Sequence, residues 1–235
     1  MKKLTKFWIY SLAIMGVVLI LSSSCKKKDD NNIPPQESGT VTDKDGNVYH
    51  TVTIGTQVWM VENLKTTKYN DGTSIPLVTD NVAWFFLITP GYCYYENNGP
   101  KFFFIYGALY NWYAANTGNL APTGWHVPTD AEWTTLTTYL GGESIAGGKL
   151  KEEGTTHWEF PNTEATDEYG FTAVPGGWRD YSGNFANLGS FGPWWSSSEY
   201  NTHNGWYRSM YCGSGNVDRN YFEKSFGFPI RCIKD

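Results

Sequence analysis

Charge is scarce in this chain. Asp, Glu, Lys and Arg make up 17% of its 235 residues, and the formal net charge is −5. Disordered segments are rich in charge and poor in aromatics, so a largely disordered chain is excluded. Ala, Glu, Lys and Leu do not dominate, which excludes a coiled coil or a helical bundle. Without a basic excess, nothing points to a nucleic-acid partner. Cysteine is limited to four residues with no CxxC spacing, and His50, His126, His157 and His203 are scattered with no HExxH, so the residues support no zinc site. Asp43, Asp45 and Asn47 open like a calcium loop, but Val48 and Ile54 stand where the loop needs Gly and Glu. There is no GxSxG, and so no nucleophile elbow. What the chain has instead is aromatic: 11 Trp, 16 Tyr and 13 Phe, with 25 Gly. The length suits one domain of the larger all-β or α+β kind, or two small ones.

The longest apolar run is marginal for spanning a bilayer, which takes about 20 residues. The run Phe7 to Leu21 follows Lys2, Lys3 and Lys6 and precedes Ser22-Ser23-Ser24-Cys25. This fits the n-region, h-region and small-residue cut of an export signal. A Cys after small residues resembles the bacterial lipoprotein signal, which implies removal of residues 1–24 and lipidation of Cys25. More than one acyl chain anchors stably. Residues 25–40 then read as a polar tether. The expected address is the outer membrane, lipid-anchored and facing outward, with the domain at 41–235.

Within that domain, Tyr49 to Ile54 and Gln57 to Val61 flank Gly55-Thr56 as a hairpin. Trp84 to Thr89 and Gly91 to Tyr95 read as short strands around Pro90. Gly107 to Asn116 has helical spacing. Thr129-Asp130-Ala131-Glu132 is a capping box, with Trp133, Leu136 and Leu140 on one helix face. Strand-like runs recur at Gly205–Cys212, Val217–Phe222 and Phe228–Ile233. Two main helices among many short antiparallel strands make an α+β domain with long ordered loops.

Several strings resemble the Fibrobacter succinogenes major paralogous domain, common in surface proteins of Fibrobacteres and Bacteroidetes. They include Thr53 to Leu64, Tyr106 to Trp112, Gly124 to Trp133, Ala146 to Lys151, Pro175 to Arg179, Trp194 to Glu199 and Ile230-Arg231-Cys232. The resemblance covers about Val41 to Asp235. It implies a C-type-lectin-like fold similar to that of formylglycine-generating enzymes. In an oxidising compartment a disulfide is expected. Cys93, Cys212 and Cys232 allow three pairings; the resemblance matches Cys93 and Cys232 to family positions.

The remaining candidate site is aromatic. Trp178, Arg179, Trp194, Trp195, Glu199, Tyr200, Trp206 and Tyr207, with Tyr181, Phe185 and Phe191 in the same stretch, lie among Asn, Ser and Gly residues. Flat rings suit the apolar faces of sugars, and Asn, Glu or Arg suit their hydroxyl rims. Such mixtures also serve polar recognition surfaces. A core poor in aliphatics would claim about two-thirds of these rings, since large aromatics are mostly buried. Trp59, Trp125 and Trp133 are stronger core candidates. The expectation is a binding protein for an extracellular glycan, with no complete catalytic motif and no cofactor beyond a structural Ca²⁺ held by Glu199 and Asp218. The alternatives are a divergent relative of formylglycine-generating enzymes or a glycan hydrolase, and an adhesin contacting another surface protein.

Overall fold

The computed structural model describes residues 39–235. The signal, Cys25 and nearly all of the tether lie outside the described residues.

The first sheet opens with β1 (Gly39–Thr42), β2 (Val48–Ile54) and β3 (Gln57–Met60). Ile54 pairs with Gln57, so Gly55-Thr56 is the two-residue turn; Gly55 holds the positive φ of 62° that such turns demand. The chain then covers a small core with α1 (Asn81–Phe85), β4 (Tyr92–Cys93), α2 (Gly99–Tyr106), β5 (Leu109–Tyr110) and α3 (Trp112–Ala115). Here the sequence expectations need correction. Trp84 to Thr89 does not begin as a strand, because the Asp80 carboxylate accepts the Ala83 N–H and caps α1. Gly107 to Asn116 is a strand and one helical turn, since Leu109 and Tyr110 pair with Cys93 and Tyr92.

β6 (Trp125–His126) leads into α4 (Asp130–Tyr139), where the Thr129–Glu132 capping box is formed in full. A further helix, α5 (Glu143–Leu150), follows at once. After it come a hairpin of β7 (Gly176–Arg179) and β8 (Phe185–Leu188) and a meander of β9 (Phe191–Glu199), β10 (Asn204–Tyr211) and β11 (Asp218–Glu223). The last strand, β12 (Ile233–Lys234), enters the first sheet between β3 and β6, giving the order β1-β2-β3-β12-β6. Named strand pairs are all antiparallel. The fold class is α+β, with more strand than helix.

The meander separates two cores, because successive residues of a strand face opposite ways. Trp195 joins Tyr49, Tyr110, Phe228 and Ile230 on one side, while Trp194 and Met210 join Trp59, Trp133 and Leu136 on the other. A third cluster under α1 and α2 holds Trp84, Tyr95 and Phe102. Trp59 and Trp133 are core residues as expected, and Trp125 packs half-buried against the core.

Candidate functional site

The expected ligand residues divide by burial. Trp194, Trp195 and Arg179 are fully buried and cannot meet a ligand. Their polar atoms explain it. Trp194 donates its indole N–H to Asn63 Oδ1 at 2.8 Å, and Trp195 donates to the Tyr110 carbonyl at 3.0 Å. Arg179 donates to the carbonyls of Val78 (2.6 Å), Thr79 (3.0 Å) and Gly183 (3.3 Å), pinning the approach to α1. Among the nine rings between Trp178 and Tyr207, three are buried, four half-buried and two exposed, fewer fully buried than expected.

Tyr200 and Trp206 do reach the surface, but one face of each is already covered. Tyr200 stacks on Tyr221 with centroids 3.8 Å apart, and the Arg219 guanidinium lies 3.6 Å over the Trp206 ring. Glu199 is exposed and takes the Lys224 ammonium at 2.5 Å. It does not meet Asp218. Glu199 pairs with Gly205 and Asp218 with Ser209, four residues apart along β10, or about 13 Å. The expected shared Ca²⁺ position therefore does not form, and among the described residues no cluster of three His, Cys, Asp or Glu could hold a metal.

The expected Cys93–Cys232 bridge is absent as well. Cys93, Cys212 and Cys232 are buried thiols, each in a different core cluster. Burial pushes the Cys93 thiol up to about 12. Carboxylates of the segment between α5 and β7, where a glycan hydrolase could find a pair, are engaged locally: Glu152 with His157 at 2.9 Å, Asp167 with Thr172, and Glu168 with Lys149 at 3.5 Å.

The structure does build a groove of about 530 Å³ at the β11 edge of the meander. Phe191, Tyr207, Ser209, Asp218 and Asn220 line it from one sheet face. The register explains the grouping: Tyr207 opposes Asn220, and Ser209 opposes both Pro193 and Asp218. Trp178 meets Phe191 edge-on at 5.0 Å and so supports the aromatic floor from behind. Tyr207 is only 6% exposed yet lines the groove. Burial first, and then the Asp218 charge, push its hydroxyl up to about 12, so it remains a protonated donor at neutral pH.

The far wall is Glu143, Ser144, Asn216 and Val217. α5 clamps that wall: the Val217 N–H donates to the Glu143 carbonyl at 2.8 Å and the Gly148 N–H to the Gly215 carbonyl at 2.9 Å. The buried Lys151 ammonium donates to the carbonyls of Ser214 (2.8 Å), Thr163 (2.9 Å) and Tyr211 (3.2 Å). The wall is thus rigidly positioned by backbone and charge-assisted hydrogen bonds. Of the expected site residues, only Tyr207 lines the groove. Phe191 belongs to the same aromatic stretch without being named as a ligand residue, Asp218 was named for a Ca²⁺, and Ser209, Asn216 and Asn220 were missed. Their one sequence signal is the period-two spacing Asn216-x-Asp218-x-Asn220, which runs into the edge strand β11.

The family model described as the Fibrobacter succinogenes major domain matches residues 52–234. The chain belongs to this family. Within this Fibrobacter succinogenes major domain the groove lies wholly inside the matched span, whereas β1 and the start of β2 precede it. No curated protein and no solved structure matches the chain.

Proposed function

We propose that this Fibrobacter succinogenes major domain binds an extracellular glycan in the groove between β11 and α5. The observation that carries the reading is the groove's chemistry: aromatic Phe191 and Tyr207 beside Ser209, Asn216, Asp218 and Asn220. An apolar floor with a rim of donors and acceptors suits a sugar ring, which has both kinds of surface. The rim is polar, as the adaptable hydrogen-bonding surfaces of binding proteins are. In the same reading the protein is exported, lipidated at Cys25 and held on the outer-membrane surface, and its domain is arranged like a C-type lectin.

Screening the mature protein on a glycan array tests the reading. Binding to at least one glycan class is expected, weakened at least tenfold in Asn220→Ala, because a site that hydrogen-bonds a hydroxyl loses heavily when its partner is removed. Tyr200→Ala, outside the groove, should leave binding intact. An array with no bound glycan, or binding indifferent to Asn220→Ala, overturns it.

A second reading, contact with another surface protein, is favoured by the outer flank of α1. Val82, Phe86 and Ile88 are all well exposed there, at 65, 71 and 76%. Exposed apolar groupings of this kind mark association surfaces.

A further inference from the structure

We propose that the groove selects neutral or amino-bearing sugars, rejects uronate- or sulfate-bearing ones, and does so through Asp218. The proposal rests on the glycan-binding reading and adds the charge class of the ligand.

The argument is a balance of charges. Arg208 and Arg219 lie against Asp130 and Glu143. Arg208 donates to Asp130 Oδ1 at 2.8 Å and to Glu143 Oε1 at 2.6 Å, and Arg219 donates to both Asp130 oxygens at 2.8–3.1 Å. Two guanidiniums and two carboxylates cancel. Arg219 lines the groove, yet its charge is spent on Asp130 and its face on Trp206. It is a poor receptor for an anion.

Asp218 is the charged group left over. It is exposed, stands at the start of β11 and opposes Ser209 on the groove face. No hydrogen bond or ion pair holds its carboxylate among the described residues. The same is true of the Asn216 amide and of the Asn220 amino group, whose carbonyl accepts only the Tyr221 N–H at 2.9 Å. Asp218 and Asn220 stand two residues apart on the edge strand β11, about 6.5 Å from one another, and Asn216 precedes the strand by two residues. Together they bring unused donors and acceptors to the groove with a single uncompensated negative charge, that of Asp218. An acidic sugar in this groove would set a carboxylate or sulfate beside Asp218 with no cation free to offset it. An unacetylated amino sugar would place an ammonium there instead. Like charges are excluded and opposite charges favoured, which gives specificity more than affinity.

The experiment sorts the array into neutral, amino-bearing and acidic glycans and compares wild type with Asp218→Asn. Titration calorimetry at low and high salt then follows the best member of each class. For wild type, acidic glycans should bind about tenfold more weakly than neutral ones of the same linkage, and amino-bearing ones should weaken as salt rises. Asp218→Asn should bring the acidic class up to the neutral level and remove the advantage of the amino class. The exposed position and unchanged near-ultraviolet circular dichroism would show that the variant folds. If acidic glycans bind wild type as tightly as neutral ones, or the ranking survives Asp218→Asn, the charge selection is wrong while glycan binding stands. If no class binds, the glycan reading falls and the selection with it.

Discussion

A guanidinium with no exposure is costly to place, and Arg231 is one. Burial pushes it down to about 9, so it is still charged at neutral pH. It donates to Asn63 Oδ1 at 3.2 and 3.3 Å and to the Met60 and Thr172 carbonyls at 3.3 Å, and also to the Phe171 carbonyl. Asn63 Oδ1 accepts the Trp194 indole as well, so one side chain joins β3, the 171–172 loop and the meander. Arg231→Ala leaves these acceptors buried and unpaired, and should cost about 3–5 kcal/mol. Arg231→Lys should recover little, because an ammonium cannot reproduce the planar fork of donors. Denaturant unfolding at constant slope is the measurement; a loss under about 1 kcal/mol would show the network to be dispensable. Sequence marked Ile230-Arg231-Cys232 as a motif but gave no sign of burial, since hydropathy places arginine outside. The same blindness hid the candidate site. Trp194, Trp195 and Arg179 looked like ligand residues because their internal acceptors, Asn63 and the carbonyls of Tyr110 and Val78, are remote in sequence.

Elements were legible where their causes are local. The β2–β3 turn and the α4 capping box depend on neighbours within four residues, and both stand where the residues put them. α5 was not legible. It carries Gly147-Gly148 in its interior, and each glycine costs about 1 kcal/mol relative to alanine in a helix. Packing supplies the reason for them. A Cβ at Gly147 would lie 2.0 Å from the Asn216 carbonyl oxygen, and one at Gly148 would lie 2.5 Å from the Glu164 carbonyl oxygen. The helix must be bare there for the groove wall to approach. Gly147→Ala therefore sets two terms against each other: a propensity gain of about 1 kcal/mol and an overpacking cost of about 1–3 kcal/mol. The obstacle is backbone, which cannot swing aside as a flexible side chain can, so the cost should win. Thermal unfolding should show a lower Tm for Gly147→Ala, with weakened ligand binding as Asn216 is pushed away. An unchanged or raised Tm would mean that the 215–216 segment yields freely and that the wall is not rigid.

At the scale of the molecule, β12 closes the first sheet by pairing Ile233 with Trp59 on one side and His126 on the other. That long-range order carries no local signal, and Phe228 to Ile233 accordingly read as one longer strand than the two residues that form. The closure also sets up a titrating junction. His126 on β6 is bound by Asp235 Oδ1 at 2.7 Å and by Glu132 Oε1, from α4, at 2.8 Å. Burial disfavours the imidazolium, but the hydrogen bonds and charges of the two carboxylates outweigh it and raise the His126 pKa. Glu132 is the mirror case: burial would raise it, but the hydrogen bonds from Thr129 and His126 hold it below its ordinary value. A raised histidine stabilises fully below its unfolded pKa, about 6.5, and that contribution is lost as pH climbs through the folded value. A lowered glutamate stabilises above its unfolded pKa, about 4.3, and loses that as pH falls through the folded value. The junction is therefore strongest between about pH 4.5 and 6.5 and weakens toward pH 8. Calorimetric scans should show Tm declining from about pH 6.5 to 8 in the wild type, with the decline much reduced in His126→Gln, which keeps a polar side chain but cannot be protonated. A wild-type Tm that does not change across that range, or a variant that keeps the whole slope, would mean that β12 is held in the sheet by Ile233 and Arg231 without help from the charge on His126.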